Sequence, residues 1–133
     1  MNKALLLGAL ALAGVMAPPA TSALAKATGP AAALDADNNG MIDLNEVNNH
    51  ATELFTRLDK DSDGTVDLKE MKGRVSKKEF EAADPDNDGT LSKDEFLIMI
   101  SGMFKDADPD NDGALDADEI ASKNGKALLR VMR

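Results

Sequence analysis

The 133-residue chain contains no cysteine, tryptophan or tyrosine, and its aromatic residues are four phenylalanines, Phe55, Phe80, Phe96 and Phe104. Without cysteine, no disulfide can hold it together. With so few aromatics the chain can bury only a small core, so it should be loosely ordered until its charge is neutralised. Basic residues are scarce as well: 15 Lys and Arg stand against 24 Asp and Glu, a net charge of −9. Nucleic acid and anionic membrane both require a basic face, so neither is expected as a partner, whereas cations are. No nucleophile stands beside a base, and the acids have another use described below, so an enzyme is not expected. The single histidine, His50, lies among Asn48, Asn49 and Thr52 and reads as part of a solvated helix face.

Long hydrophobic runs are also lacking. Ala4 to Met16 is apolar and uncharged, but it is shorter than the roughly 20 residues a membrane-spanning helix needs, and Pro18-Pro19 ends it. Lys3 before this run and the small-x-small site Ala23-Leu24-Ala25 after it give residues 1–25 the form of a cleaved secretory signal peptide. Residues 26–133 then form a single domain. The short, alanine-rich signal points to a periplasmic protein, with no membrane association after cleavage.

One acidic unit is abundant. It occurs four times, as DADNNGMIDLNE, DKDSDGTVDLKE, DPDNDGTLSKDE and DPDNDGALDADE, beginning at Asp35, Asp59, Asp84 and Asp108 with offsets of 24, 25 and 24 residues. Each fits the twelve-residue calcium loop, in which positions 1, 3 and 5 turn side chains inward, a glycine at 6 reverses the chain, the carbonyl at 7 points in, and a glutamate at 12 clamps the ion. The candidate ligands are therefore Asp35, Asp37, Asn39, Met41, Asp43 and Glu46 in loop 1, and Asp59, Asp61, Asp63, Thr65, Asp67 and Glu70 in loop 2. In loop 3 they are Asp84, Asp86, Asp88, Thr90, Ser92 and Glu95, and in loop 4 Asp108, Asp110, Asp112, Ala114, Asp116 and Glu119. Of the 24 acids, 20 lie in these windows and 18 of those at ligand positions, whereas a solvated acidic surface would scatter them. Position 8 is apolar in every copy (Ile42, Val66, Leu91, Leu115), as expected if loops pair through a short β-bridge.

The spacing predicts an unusual all-α bundle. Between loops only 12, 13 and 12 residues remain, so each stretch must serve both neighbouring loops as a shared helix. Val47, Ala51, Leu54, Phe55 and Leu58 share one helical face, and Phe96, Met99, Ile100, Met103, Phe104 and Ala107 make a second stripe. A 12-residue helix is about 18 Å long, which holds loops 1 and 2 apart, and likewise loops 3 and 4. Gly73 followed by the capping box Ser76-x-x-Glu79 reverses the middle segment. Loop 2 should therefore pair with loop 3, and loop 1 with loop 4. A turn is expected at Asn124-Gly125, before Ala127, Leu128 and Val131 pack back, and Pro30 should open a single helical turn before loop 1. Met71, Met99, Met103 and Met132 read as core filling. Leu97 and Ile98 widen the apolar face of the third stretch, which makes it either a central helix or a surface for self-association or a periplasmic protein partner.

A four-loop EF-hand chain with this spacing, proline at loop position 2 (Pro85, Pro109), the segment KEMKGRVS (Lys69 to Ser76) and the ending ASKNGKALLRVMR resembles the lanmodulin family of periplasmic lanthanide-binding proteins. The resemblance implies up to four lanthanide(III) ions, folding on binding, and a role in lanthanide handling; Ca2+ is the alternative ion for the same loops. The chain departs from the family pattern at Ala36 and Lys60, which replace the position 2 proline, and at Asn39 and Ser92, which replace aspartate. Loops 2 and 4 keep five acidic ligand positions and loops 1 and 3 keep four. On charge alone that ranks loops 2 and 4 first for a trivalent ion, although the family's fourth loop is usually weaker and Lys60 offsets part of loop 2's charge.

Overall fold

The computed structural model describes residues 27–133; the signal segment expected at residues 1–25 lies outside the described residues. The architecture is helical, with two small β-ladders. A 3₁₀ turn, Gly29–Ala33, carries Pro30 in its first turn and leads into loop 1. There follow β1 (Ile42–Asp43), α1 (Leu44–Leu58), β2 (Thr65–Asp67), α2 (Lys77–Ala83), β3 (Thr90–Ser92), α3 (Lys93–Ala107), β4 (Ala114–Leu115), α4 (Ala117–Ala121) and α5 (Lys123–Met132). Among the described residues, no helix is long and apolar enough to cross a membrane.

The helices begin where the loops dictate. Position 9 of loops 1, 3 and 4 (Asp43, Ser92, Asp116) caps the following helix, accepting the N–H of the position 12 glutamate, whose own carboxylate accepts the position 9 N–H. The same capping box at Ser76 and Glu79 starts α2. Such a cap contributes about 1 kcal/mol, enough to place the start of a helix but not to hold it against its neighbours. Loop 2 leads into turns instead of a helix: Gly73 takes φ +81°, a left-handed conformation open to glycine, and the chain reverses there.

The two ladders join loops that are distant in sequence. β1 pairs antiparallel with β4, setting Ile42 opposite Leu115, and β2 pairs with β3, setting Val66 opposite Leu91. All four position 8 side chains are fully buried. Each contributes roughly 1.5–3 kcal/mol by leaving water, so ladders of two or three residues are held by side chains more than by their few hydrogen bonds. Helix α1 runs from the first ladder to the second and α3 runs back, the two packing side by side, with α5 packed chiefly against α3 and touching α1 as well.

The core comes from the expected face of α1, with Val47, Ala51, Leu54, Phe55 and Leu58 all buried. In α3 the buried residues are Phe96, Ile100, Phe104 and Ala107, while Met99 and Met103 are only partly covered. Met71 and Met132 fill the core as expected. All four phenylalanines are buried in one core cluster, and within it the rings of Phe55 and Phe96 meet, with centroids 5.6 Å apart and planes tilted by 56°. Leu97 packs against the core, and Ile98 is 71% exposed.

Two sequence expectations are corrected. The break near the C-terminus falls at Ser122 and not at Asn124-Gly125: the Ser122 hydroxyl donates to the Glu119 carbonyl (2.6 Å), closing α4, and accepts the Gly125 N–H (3.0 Å), opening α5. Gly125 is helical and buried, and a Cβ there would lie 2.1 Å from the Glu119 carbonyl oxygen. Its glycine serves a close crossing of two helices. His50 is not simply solvated either: its Nε2 lies 3.0 Å from the Met132 carbonyl oxygen, tying α1 to the end of α5.

Candidate metal centre

Each loop winds around its first aspartate. Asp35 accepts the N–H groups of Asn39 and Gly40 at 3.0 Å each, and Asp59 those of Asp63 and Gly64 at 3.0 Å each. Asp84 accepts from Asp88 (3.3 Å) and Gly89 (2.9 Å), and Asp108 from Asp112 (3.2 Å) and Gly113 (3.0 Å). Asp35, Asp84 and Asp108 are each 4% exposed, whereas Asp59 is only half-buried. The winding needs left-handed backbone at two points. The glycine at position 6 has φ between +84° and +87° in all four loops, and position 4 (Asn38, Ser62, Asn87, Asn111) has φ between +55° and +58°. Asparagine tolerates that region better than most residues. The Asn recurring at position 4 in three of the loops is the sequence's signal for this turn.

The result is four gatherings of carboxylates. One oxygen each from Asp35, Asp37 and Glu46 lie within 4.8 Å of one another, as do those of Asp59, Asp61 and Glu70, of Asp84, Asp86 and Glu95, and of Asp108, Asp110, Asp112 and Glu119. Positions 1, 3 and 12 thus converge in every loop, and position 5 joins them in loop 4. In loops 2 and 3 the position 5 carboxylate takes both the N–H and the hydroxyl of a threonine: Thr65 bonds Asp63 at 2.8 Å twice, and Thr90 bonds Asp88 at 2.9 Å twice. Ala114 offers Asp112 only its N–H, at 3.0 Å. Asn39 Oδ1 accepts the Met41 N–H at 2.7 Å. Position 9 is engaged differently: Asp43, Asp67, Ser92 and Asp116 point their side-chain oxygens at the N–H of the position 12 glutamate (2.8, 2.8, 3.2 and 2.9 Å).

Crowding shows in the protonation equilibria. Asp86 is raised above the usual aspartate value, first by its contact with the Asp84 carboxylate and then by desolvation. Asp110 is raised first by Asp108. Their partners go the other way: desolvation works to raise Asp84 and Asp108, but N–H bonds from Gly89 and Gly113 and the neighbouring carboxyl outweigh it. Glu119 is raised, the N–H of Asp116 being outweighed by burial and by the charges of Asp110, Asp116 and Asp108. Asp61 is raised in the same manner, and Asp63 is lowered, chiefly by the Thr65 hydroxyl. A cation in each loop would relieve all of these repulsions together.

The loops differ most at position 2. In loop 1 the Ala36 N–H donates to Glu46 Oε1 at 2.8 Å, and in loop 2 the Lys60 N–H donates to Glu70 Oε1 at 3.0 Å. Pro85 and Pro109 have no N–H. In loops 3 and 4 the glutamate keeps its bond from position 9 (2.8 and 2.9 Å), and among the described residues no N–H meets its other oxygen. The prolines thus leave one glutamate oxygen free for an ion.

Four oxygen-only sites built on carboxylates and backbone define a binder of hard metal cations. The sequence pattern of the EF hand matches residues 52–76, 77–100 and 99–122, more than half of the chain, taking in loops 2, 3 and 4. The chain belongs to the EF-hand family, and its carboxylate-rich loops are metal sites of the calcium type. Comparison with curated proteins gives no match.

Proposed function

We propose that this protein is a selective binder of trivalent lanthanide ions, acting in the periplasm in lanthanide uptake or handling, and that ion binding drives its folding. The observation that carries this reading is the convergence of three or four carboxylate oxygens within 4.8 Å in each loop. A unit positive charge about 4 Å from a carboxylate gains about 4 kcal/mol at an effective dielectric of 20. A third charge on an ion of calcium's size therefore gains with every carboxylate in the shell, and loops with four or five acids favour it most. The resemblance to lanmodulins supports the same ion, and the signal-like residues 1–25 support the compartment. Without metal the carboxylates repel and the core is small, so binding energy becomes folding energy.

Calcium is the second reading, because the same twelve-residue template serves calcium buffers and sensors. Titration of metal-free residues 26–133 with lanthanum and with calcium, followed by far-UV circular dichroism, separates the two. Lanthanum is expected to order the helices at concentrations at least a hundredfold below calcium. Equal potency of the two ions would leave a calcium protein.

A further inference from the structure

Of the 13 Lys and Arg among the described residues, only Lys77 and Arg130 are ion-paired, and five of the others gather in one place. At the end of α1 and across the turn that follows loop 2, Arg57, Lys60, Lys69, Lys72 and Arg74 line a single open pocket of about 450 Å³. Among the described residues the ion pairs are Lys77 with Glu81 and Arg130 with Glu79, so none of these five contacts a carboxylate within 4.0 Å. The one acid on the pocket wall, Glu70, already receives the N–H groups of Lys60 and Asp67 (3.0 Å each).

Arg57, Lys60, Lys69 and Lys72 are exposed, whereas Arg74 is fixed: its guanidinium donates to the carbonyl oxygens of Val131 (2.9 Å) and Arg133. Burial first, and then the charges of Arg133 and Arg57, hold Arg74 below its ordinary pKa. If these side chains served only to soften the repulsion within loop 2, they would lie against its acids. They converge on open space instead. Leu54 and Leu58 of α1 lie beneath it, both almost fully buried, so the surface it offers is mainly polar.

The geometry points to an anion site at this pocket that takes a small organic polyanion, a polycarboxylate or an organic phosphate, and that is coupled to the metal in loop 2. Four exposed cationic heads around a guanidinium held by two carbonyls suit a ligand with two or more negative charges. A volume of about 450 Å³ is more than a bare inorganic ion fills and suits several charges carried on one carbon skeleton. Because these cations border loop 2 and Glu70 is shared by the loop and the pocket wall, their charge opposes a metal ion there, and a bound anion cancels that opposition. By linkage, metal in loop 2 strengthens anion binding by the same factor. The inference rests on reading loop 2 as a metal loop and is independent of which ion fills it.

The test uses full-length mature protein loaded separately with calcium and with lanthanum, titrated with propane-1,2,3-tricarboxylate, glycerol 3-phosphate and sulfate while amide and side-chain resonances are followed by NMR. Shifts confined to Arg57, Lys60, Lys69, Lys72 and Arg74 are expected. Tricarboxylate or glycerol phosphate should bind at least tenfold more tightly than sulfate, and which of the two is tighter identifies the source of the anion. Lys69→Ala with Lys72→Ala should weaken binding at least tenfold, Lys69→Arg with Lys72→Arg should retain it, and Lys123→Ala should change nothing. In the calcium-loaded protein, saturating anion should raise loop 2's metal affinity severalfold without affecting loop 4. Shifts spread over all four loops, persistence of binding in the double alanine variant, or no binding by 20 mM anion would each overturn the proposal. Because both metal forms are tested, loss of lanthanide selectivity alone would sink the proposed function and leave this site standing.

Discussion

Replacing Ala36 by proline converts loop 1 to the position 2 chemistry of loops 3 and 4. The loops share a backbone, since position 4 and the glycine at position 6 are left-handed in all of them, and Pro85 and Pro109 already occupy the equivalent place. The substitution removes the Ala36 N–H from Glu46 Oε1 and leaves the Asp37 N–H, a longer donor at 3.3 Å. A hydrogen bond to a charged acceptor is worth roughly 1.5–3 kcal/mol net, and less where it is exposed as this one is, so about 1 kcal/mol is the fair figure. An ion that needs both glutamate oxygens no longer competes with that bond, and loop 1's affinity should rise about fivefold. The Gly40 amide, bonded to Asp35 at 3.0 Å, reports loop 1 alone, so chelator-buffered calcium titration followed at that resonance gives the number. The reverse change, Pro85→Ala, should weaken loop 3 by a similar factor, read at the Gly89 amide. If Ala36→Pro left loop 1 unchanged or weakened it while far-UV circular dichroism stayed native, the N–H would be positioning the glutamate rather than competing for it, and the reasoning would fail.

Other consequences can be checked in the same protein. Asp86→Asn and Asp110→Asn should lower the preference for lanthanum over calcium at loops 3 and 4, measured by competition titration; an undiminished ratio would refute the charge argument. Gly125→Ala would gain about 1 kcal/mol of helix propensity at an open site, but with a Cβ 2.1 Å from the Glu119 carbonyl oxygen it should instead destabilise the fold by about 1–3 kcal/mol in denaturant melts. Glu79 is held below the ordinary glutamate range, first by the Ser76 N–H and also by Arg130. A depressed folded pKa means that its contribution is complete above the ordinary value and is lost as pH falls through the folded one. The melting-temperature gap between wild type and Glu79→Gln should therefore hold steady near neutrality and close as pH falls below the ordinary glutamate value; a gap that stays constant through that acid range would exclude the ion-based clamp.

The repeat, the helix faces and the loop partners are local or length-determined properties, and they could be read from one dimension. Twelve residues between loops cannot hold two helices, and this arithmetic sets Ile42 opposite Leu115 and Val66 opposite Leu91. What could not be read depends on chains meeting after long separations. Asn124-Gly125 carries the composition of a turn, and only the crossing of α5 over the carbonyls of α4 explains the glycine. His50 looks solvated among asparagines until a carbonyl 82 residues later arrives at its ring. The donor at position 2 went unread because a backbone N–H belongs to every residue except proline, so only its absence at Pro85 and Pro109 is written in the sequence. The Arg57 to Arg74 pocket was hidden because its cations alternate with the acids of loop 2 along the chain and separate from them only in space.

The shared helices and crossed ladders have a mechanical consequence. Loop 1 leads through α1 to loop 2, loop 2 is joined by strands to loop 3, loop 3 leads through α3 to loop 4, and loop 4 is joined by strands back to loop 1. The molecule is therefore a closed four-cornered frame with a rigid bar on two sides and a riveted joint on the other two. A chain of paired hands can release one half and keep the other, but a ring has no half to release. Loosening any corner slackens both of its neighbours, so if ion binding drives folding as proposed, filling and emptying are properties of the whole frame and not of one hand.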